Sequence, residues 1–337
     1  MIKELEEICS LNGASGDEAR VRKYIMSQIT ADEMITDNLG NLLVFKKGGK
    51  TPRNKIMLAA HIDEVGFMIT DISEEGFLSF GAVGGINPEV TLGRTLRLES
   101  GALGVVGTKA IHQQSKEERK TIPSFEELYL DIGASSAKEA EKLAPRGSYA
   151  YFDTDFFEFG NGFVKGKAID DRAGCLIMID IINSEPEYDA WYAFTVREEV
   201  GTRGAKAAAF TVAPDIAIVL EATTACDIAG VSGAKKVCEL GKGAVVSYMD
   251  RGTVYDRELF SLAFETAKKN NIPVQTKTLV AGGNDSGAIH VSRGGVRTCA
   301  ISVPCRYLHS PSCVIAENDF YAVKSLAEKM LSAAAEL

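Results

Sequence analysis

The sequence lacks any run of about 18 apolar residues that could cross a membrane. The best candidate, residues 173–182, is short and is interrupted by Asp180. The N-terminus is acidic and amphipathic, without the apolar segment of a signal peptide. We therefore expect a soluble, cytoplasmic protein with no membrane partner.

An excess of basic residues is also missing. The chain has 37 Lys and Arg against 46 Asp and Glu, which gives a formal net charge of -9. A nucleic-acid partner is excluded on this ground, because too little positive charge exists to neutralise phosphates. The one basic run, 116–120, is interleaved with Glu117 and Glu118 and predicts a solvated surface.

Several motifs of nucleophilic and nucleotide-binding enzymes are absent. The seven cysteines include no CxxC pair, which favours reduced and mostly buried thiols. No GxSxG segment occurs, and no cysteine has a histidine partner by local motif. The glycine-rich loop that begins at Ala281 matches neither GxGxxG nor GxxxxGK[ST], so we expect it to help hold substrate rather than phosphate.

The 337 residues are enough for about two domains. Apolar strands alternate with helical segments at both ends of the chain, which predicts an α/β sheet with helices on both faces. Between them, 66–162 is rich in glycine and short β-prone segments. We predict a catalytic domain formed by 1–65 and 163–337, and an inserted β-rich domain at 66–162.

Side chains that can bind metal follow the apolar strands or open a helix: His61 and Asp63, Glu198 and Glu199, Glu221, His309, and the pair Asp170–Asp171. The carboxyl ends of the strands in an open α/β sheet meet at one edge, where ligands bind. Converging carboxylates repel each other unless a cation lies among them. Imidazole with carboxylate is the ligand set of zinc, manganese or cobalt. The number of donors favours two ions rather than one.

Each of these features alone has a more common structural explanation. A histidine at a strand end usually makes a local hydrogen bond, and paired acids often form solvated turns or helix caps. Their combination is what indicates a metal site, since two of only four histidines fall at strand exits. For the other two, we expect His112 to lie at the surface or an interface and His290 to be structural.

The segments around these residues resemble a known family. They are HIDEVG at 61–66, AIDDRAG at 168–174, REEVGTRG at 197–204 and PCRYLH at 304–309, with DNLGN at 37–41 and IPSFEELYLDIG at 122–133. Together they resemble the glutamyl and deblocking aminopeptidases. These are dinuclear metallopeptidases, also called tetrahedral aminopeptidases, and some members are catalogued as endoglucanases or cellulases. The resemblance covers nearly the whole chain.

The resemblance implies a role for each matching residue. His61 binds one metal, Asp170 bridges both, and Glu199 and His309 bind the second. Asp171 follows Asp170 across a cis peptide bond. Glu221 stands where many members carry Asp as the remaining ligand of the first metal. The catalytic residues implied are Glu198, as general base, and Asp63, which orients His61. Asn284 and Asp285 depart in part from the common Thr-Asp-Ala and are candidates for substrate binding.

The resemblance also implies the wider architecture and activity. The fold is a mixed sheet sandwiched by helices, as in dinuclear zinc peptidases, with a small PDZ-like β-barrel used for dimerisation and gating. The activity is removal of N-terminal residues from short peptides with two divalent ions, Zn or Co foremost and Mn also possible. A homo-oligomer from dimer to dodecamer is expected. A metal-dependent deacylase, a glycoside hydrolase and a non-catalytic metal-binding scaffold are the alternatives.

Overall fold

The computed structural model of the chain describes residues 1–280 and 282–337, so Ala281 lies outside the described residues. The helices are α1 (Ile2–Ser10), α2 (Ala19–Gln28), α3 (Ala137–Leu143), α4 (Ile169–Asn183), α5 (Arg203–Val212), α6 (Arg257–Lys269), α7 (Ser286–Ile289) and α8 (Glu317–Ala335). The strands are β1 (Glu33–Thr36), β2 (Leu42–Lys46), β3 (Ile56–His61), β4 (Gly66–Ile72), β5 (Leu78–Val83), β6 (Thr95–Leu98), β7 (Leu103–Thr108), β8 (Leu128–Asp131), β9 (Tyr149–Phe152), β10 (Phe157–Phe159), β11 (Phe163–Gly166), β12 (Ala190–Thr195), β13 (Ile216–Thr224), β14 (Ala244–Val246), β15 (Val274–Thr276), β16 (Arg297–Cys305) and β17 (Cys313–Ala316).

The main sheet has eight strands in the order β1-β2-β12-β3-β13-β16-β14-β15. The four central strands β12, β3, β13 and β16 run parallel, while β2 and β14 pair with them antiparallel. The sheet is therefore mixed, as expected. Parallel strands buried on both faces explain the near-continuous apolar runs of β3 and β13.

Helices cover both faces of this sheet. Alternate residues of β3 separate into two cores, with Leu58 in the cluster that contains α4 and α8, and Met57 in the cluster that contains α5. This separation follows from the two-residue period of a strand. The α/β class predicted from the sequence is confirmed.

The segment between β3 and α4 contains a closed barrel of six antiparallel strands in the order β4-β5-β8-β7-β6-β9. Its core is aromatic and aliphatic, with Phe67 packed edge-on against Phe80 and Phe152. Strands β6 and β7 form a hairpin, and Leu96 and Leu98 of β6 belong to the barrel core. The inserted barrel inferred from the resemblance is confirmed.

A separate three-stranded sheet, β10-β11-β17, lies outside the barrel. It pairs β11, just before α4, with β17, just before α8. Its first strand, β10, falls inside the 66–162 range that we assigned to the insert, while every barrel strand lies between Gly66 and Phe152. The insert boundaries remain a prediction. Among the described residues, no helix is long and apolar enough to span a membrane.

Candidate metal centre

The parallel strands deliver the predicted side chains to one edge of the sheet. His61 is the last residue of β3, and Glu198 and Glu199 follow β12. His309 lies in the loop between β16 and β17, and Asp170 lies in the first turn of α4. Glu221 differs slightly from expectation, because β13 continues to Thr224 and the residue lies within the strand.

One half of the site is built around His61. Its Nε2 lies 3.3 Å from Oδ1 of Asp170 and 3.2 Å from Oε1 of Glu221. The exposed fraction of the His61 side chain is 1%, so water is almost excluded. The longer side chain of Glu221 thus reaches the histidine that the resemblance assigns to the same metal.

The other half of the site is built around His309. Its Nε2 lies 3.5 Å from Oδ2 of Asp170 and 3.3 Å from Oε2 of Glu199. The His309 side chain is 35% exposed, so this half faces solvent. Asp170 stands between the halves, with one carboxylate oxygen toward each histidine. This is the arrangement that a bridging carboxylate requires.

The donor atoms fit divalent metal ions. Ligand atoms of His61, Asp170 and Glu199 lie within 4.8 Å of one another, and so do those of His61, Asp171 and Glu221. Oε2 of Glu221 and Oδ2 of Asp171 are buried without a hydrogen-bond partner in the part of the chain that the structure describes. Buried carboxylate oxygens left bare in this way are costly unless a cation binds them. Neutral imidazole with carboxylates suits zinc, cobalt or manganese.

Asp171, a metal-binding candidate to which the resemblance gives no ligand role, also belongs to the cluster. Its Oδ1 accepts a hydrogen bond from the Gly174 amide at 3.0 Å, while its other oxygen faces the cluster. The peptide bond between Asp170 and Asp171 is cis, as the resemblance implied. The motif DDRAG gave no local signal that both carboxylates would reach the same cluster.

Asp63 lies behind His61 and is fully buried. Nδ1 of His61 lies 3.0 Å from the Asp63 carbonyl and 3.5 Å from its Oδ1. The Asp63 carboxylate also accepts the main-chain amides of Glu198 at 3.0 Å and Glu199 at 3.2 Å. Asp63 therefore fixes the ring that carries Nε2 into the site and, at the same time, the loop after β12.

The pKa values show a cluster with excess negative charge. Burial raises the pKa of Glu199 to about 8. Burial also raises the pKa of Glu198 well above its usual range, and repulsion from Asp285 and Glu199 raises it further. Burial alone would lower the pKa of His309, but its contacts with Asp170 and Glu199 raise that pKa to about 10. The carboxylates and His309 hold on to protons because the cluster has more negative than positive charge. Bound metal cations would balance the same negative charge.

The two substrate-binding candidates lie at the beginning of α7. Oδ2 of Asp285 accepts the Thr195 hydroxyl at 2.5 Å, and Oδ1 is buried without a partner among the described residues. Burial raises the pKa of Asp285 to about 6. Asn284 is different, because its amide donates to the Tyr255 hydroxyl at 3.0 Å and its carbonyl accepts from the Ser286 amide at 2.8 Å. Of the two side chains, Asp285 therefore keeps an oxygen without a partner among the described residues, while both polar groups of Asn284 are bonded.

The remaining histidines and a nearby cysteine lie outside the ligand set. His112 is exposed beside the barrel, and Nδ1 of His290 bonds the Ser286 carbonyl at 2.8 Å, a local structural contact. Cys175 is buried beneath the site, where its thiol donates to the His61 carbonyl at 3.1 Å. Burial raises the pKa of that thiol well above its usual range, which favours a packing role over metal binding.

Comparison with solved structures defines the class of protein. The chain superimposes on an aminopeptidase from the archaeon Desulfurococcus kamchatkensis with a TM-score of 0.91 and 32% identity, over 97% of this chain and 93% of that one. A TET1 peptidase from Pyrococcus horikoshii, which can assemble into a tetrahedron or a large octahedral shell, gives a TM-score of 0.86 at 33% identity, over 97% and 98% of the two chains. The fold is that of the TET aminopeptidases, a class of hydrolases.

Sequence comparison gives the family. The chain is 39% identical over 334 residues to an aminopeptidase-named protein of Acetivibrio thermocellus, which covers 97% of this chain and 98% of that one. The family model described as M42 glutamyl aminopeptidase matches residues 40–326. The chain belongs to the M42 glutamyl aminopeptidase family, and the resemblance found in its motifs is confirmed.

Proposed function

We propose that this chain is a dinuclear metalloaminopeptidase that removes N-terminal residues from short peptides. The observation that carries the proposal is the position of Asp170, whose two oxygens face two half-sites, each completed by one histidine and one glutamate. His61, Asp170 and Glu221 would hold one ion, and His309, Asp170 and Glu199 the other. Zinc or cobalt suits these donors best, and manganese is the alternative.

The two metals, when bound, would supply Lewis acidity that polarises the scissile carbonyl and acidifies water. The chain itself supplies the proton transfer. The Glu198 carboxylate has a raised pKa, which suits a group that accepts a proton from water and returns it to the leaving amine. Its main chain is held by Asp63, so the carboxylate starts from a fixed position.

Recognition of the substrate N-terminus would fall to carboxylates near the ions. Oδ1 of Asp285 is buried and without a partner in the described chain, and Asp285 acts on Glu198 electrostatically. An α-ammonium group placed between them would relieve that repulsion. Cleavage would then be restricted to the first peptide bond, because an internal residue has a neutral amide where the N-terminal residue has its α-ammonium group.

The experiment is an activity panel after metal removal. The chelated protein is reloaded with Zn, Co or Mn and assayed on aminoacyl p-nitroanilides, an N-acyl amino acid and a glucan. We expect metal-dependent turnover of the anilides. Full activity on a glucan after chelation would contradict the proposal, turnover of the N-acyl substrate alone would favour a deacylase, and metal binding without any turnover would favour a scaffold.

Glu198→Gln tests the proton-transfer role directly. The amide cannot accept the proton, so we expect kcat to fall by about 10²- to 10⁴-fold while both ions stay bound. Glu141→Gln, on the exposed face of α3, is the matched control and should retain parental activity. Near-parental turnover by Glu198→Gln would remove Glu198 from the mechanism.

The assembly is part of the proposal. A homo-oligomer from dimer to dodecamer is expected from the family, with the insert at 66–162 serving dimerisation and gating beside a catalytic domain of 1–65 and 163–337. Mass photometry of the purified protein tests the oligomer. A monomer at micromolar concentration would contradict it.

A further inference from the structure

Asp63 is held by a hydroxyl from a distant part of the chain. Its Oδ2 accepts a hydrogen bond from Ser15 at 2.5 Å, shorter than the 3.2 Å bond that the same oxygen accepts from the Glu199 amide. Ser15 is 6% exposed and lies in the loop between α1 and α2. The orientation of the Asp63 carboxylate therefore depends on a residue far from the metal-binding motifs in sequence.

The barrel holds Ser15 in turn. The Tyr149 hydroxyl, on β9, donates to the Ser15 carbonyl at 3.2 Å. The neighbouring Gly16 has a φ of +101°, and a Cβ there would overlap the Tyr149 hydroxyl, so glycine is required for this approach. Next to it, Asp17 accepts the hydroxyl of Tyr151. Two tyrosines of β9 thus hold residues 15–17 beside the site through hydrogen bonds.

We propose that Ser15 is a positioning residue of the metal centre, held in place by Tyr149 of the barrel. The inference rests on the proposed function, because it concerns the orientation of a metal ligand. The Ser15 hydroxyl fixes the Asp63 carboxylate. That carboxylate holds the main-chain amides of Glu198 and Glu199, and its Oδ1 lies 3.5 Å from Nδ1 of His61, whose ring also bonds the Asp63 carbonyl. The barrel therefore contributes to the metal centre through this chain of contacts.

Loss of the hydroxyl has a definite physical consequence. Oδ2 of Asp63 would keep only the longer bond from the Glu199 amide, and a buried carboxylate with an unmet bond moves toward other donors. Rotation of that carboxylate would displace His61 and the loop after β12 together. Residues that orient metal ligands typically change metal affinity or activity 10- to 100-fold when removed.

The test is metal affinity of Ser15→Ala, measured by competition with a chromophoric chelator for Zn and by the visible spectrum of the Co-loaded protein. We expect affinity to weaken by about 10- to 100-fold and the Co spectrum to change. Ser10→Ala, which removes a hydroxyl bonded to the Glu7 carbonyl at the exposed end of α1, is the matched control and should leave both unchanged. A lower melting temperature with parental metal affinity would overturn the proposal, because Ser15 would then be only structural.

Tyr149→Phe tests the second link and keeps the ring in place, so it carries the test if Ser15→Ala does not fold. We expect a smaller loss of affinity, a few-fold, and no further loss when the substitution is added to Ser15→Ala. Tyr129→Phe, on β8 of the same barrel where the ring packs against Phe77, is the control. Parental metal affinity in Tyr149→Phe would overturn the role of Tyr149. So would a double variant whose loss of affinity equals the product of the two single losses.

These outcomes are distinct from failure of the proposed function. If the parent protein binds no ion, the metal centre itself is wrong. If the parent binds ions and Ser15→Ala binds them equally well, only the positioning role is wrong.

Discussion

At the residue scale, the site depends on atoms that orient ligands as much as on the ligands. His61 is oriented by the Asp63 carbonyl, while Nδ1 of His309 donates to the Gly85 carbonyl at 2.9 Å. In both cases the other nitrogen, Nε2, is left facing the carboxylates. The Gly85 carbonyl, in the loop after β5, thus orients the His309 ring, as Asp63 orients the His61 ring.

Gly84 offers a test of this loop. Its φ is +93°, and an added Cβ would lie 2.9 Å from Cγ1 of Val65 and 3.2 Å from Cβ of Glu199. Gly101 has nearly the same φ, +91°, with nothing within 4 Å of an added Cβ. Both alanine variants carry a similar backbone cost, so we expect Gly84→Ala alone to lose about tenfold or more in kcat/KM. Equal activity of the two variants would show that the loop does not position Glu199.

The sequence indicated the candidate ligands better than their supports. These candidates stand in short motifs within or after a strand or at the beginning of α4, and the structure brings them together: His61, Asp170, Glu199, Glu221 and His309. The supporting Ser15 hydroxyl and Gly85 carbonyl come from loops remote in sequence, and a backbone carbonyl has no residue signature. Neither could be found before the loops were placed in three dimensions.

At the element scale, the buried strands were predictable and the edge strands were not. β3, β12 and β13 are apolar runs, and the helices α4, α6 and α8 follow the expected alternation. β1 is mostly exposed and β15 has only three half-buried residues, so neither has a clear period. The N-cap of α3, Ser136, makes no side-chain capping bond, and the Glu139 carboxylate accepts the amide and hydroxyl of Ser135.

The beginning of α6 gives a stability prediction. Asp256 caps the helix by accepting the Leu259 amide at 3.0 Å and pairs with Arg297 at the start of β16 at 2.8 Å. We expect Asp256→Ala to lower the free energy of unfolding by about 1–2 kcal/mol at pH 7, measured by urea unfolding. Glu258→Ala removes the second carboxylate that pairs with Arg297. The Glu258 side chain is 65% exposed, so its loss should change the free energy of unfolding by less than about 0.5 kcal/mol.

The same pair predicts a pH dependence. The hydrogen bonds from Arg297 hold the pKa of Asp256 below its usual value in the folded protein, against the opposing effect of burial. A carboxylate with a lowered folded pKa stabilises above its unfolded pKa, near 4, and loses this contribution as the pH falls through the folded pKa. The difference between parent and Asp256→Ala should therefore be constant above about pH 5 and shrink below about pH 4. A difference that grows on acidification would contradict this account.

At the scale of the whole molecule, the barrel and the sheet edge form the site together. The barrel contacts one half-site through the Gly85 carbonyl and the other through Tyr149 and Ser15. An insert that served assembly alone would not need these contacts. These contacts connect the barrel to the candidate site within a single chain.

The most direct test of the central claim is the number of metal ions per chain. Parent protein and Asp170→Asn are stripped with a chelator, dialysed against excess Zn, freed of unbound metal and analysed by mass spectrometry for metal content. We expect two ions per chain in the parent and loss of at least one in Asp170→Asn, because Asp170 faces both histidines. One ion or none in the parent, or two in both proteins, would contradict a pair of metals bridged by Asp170.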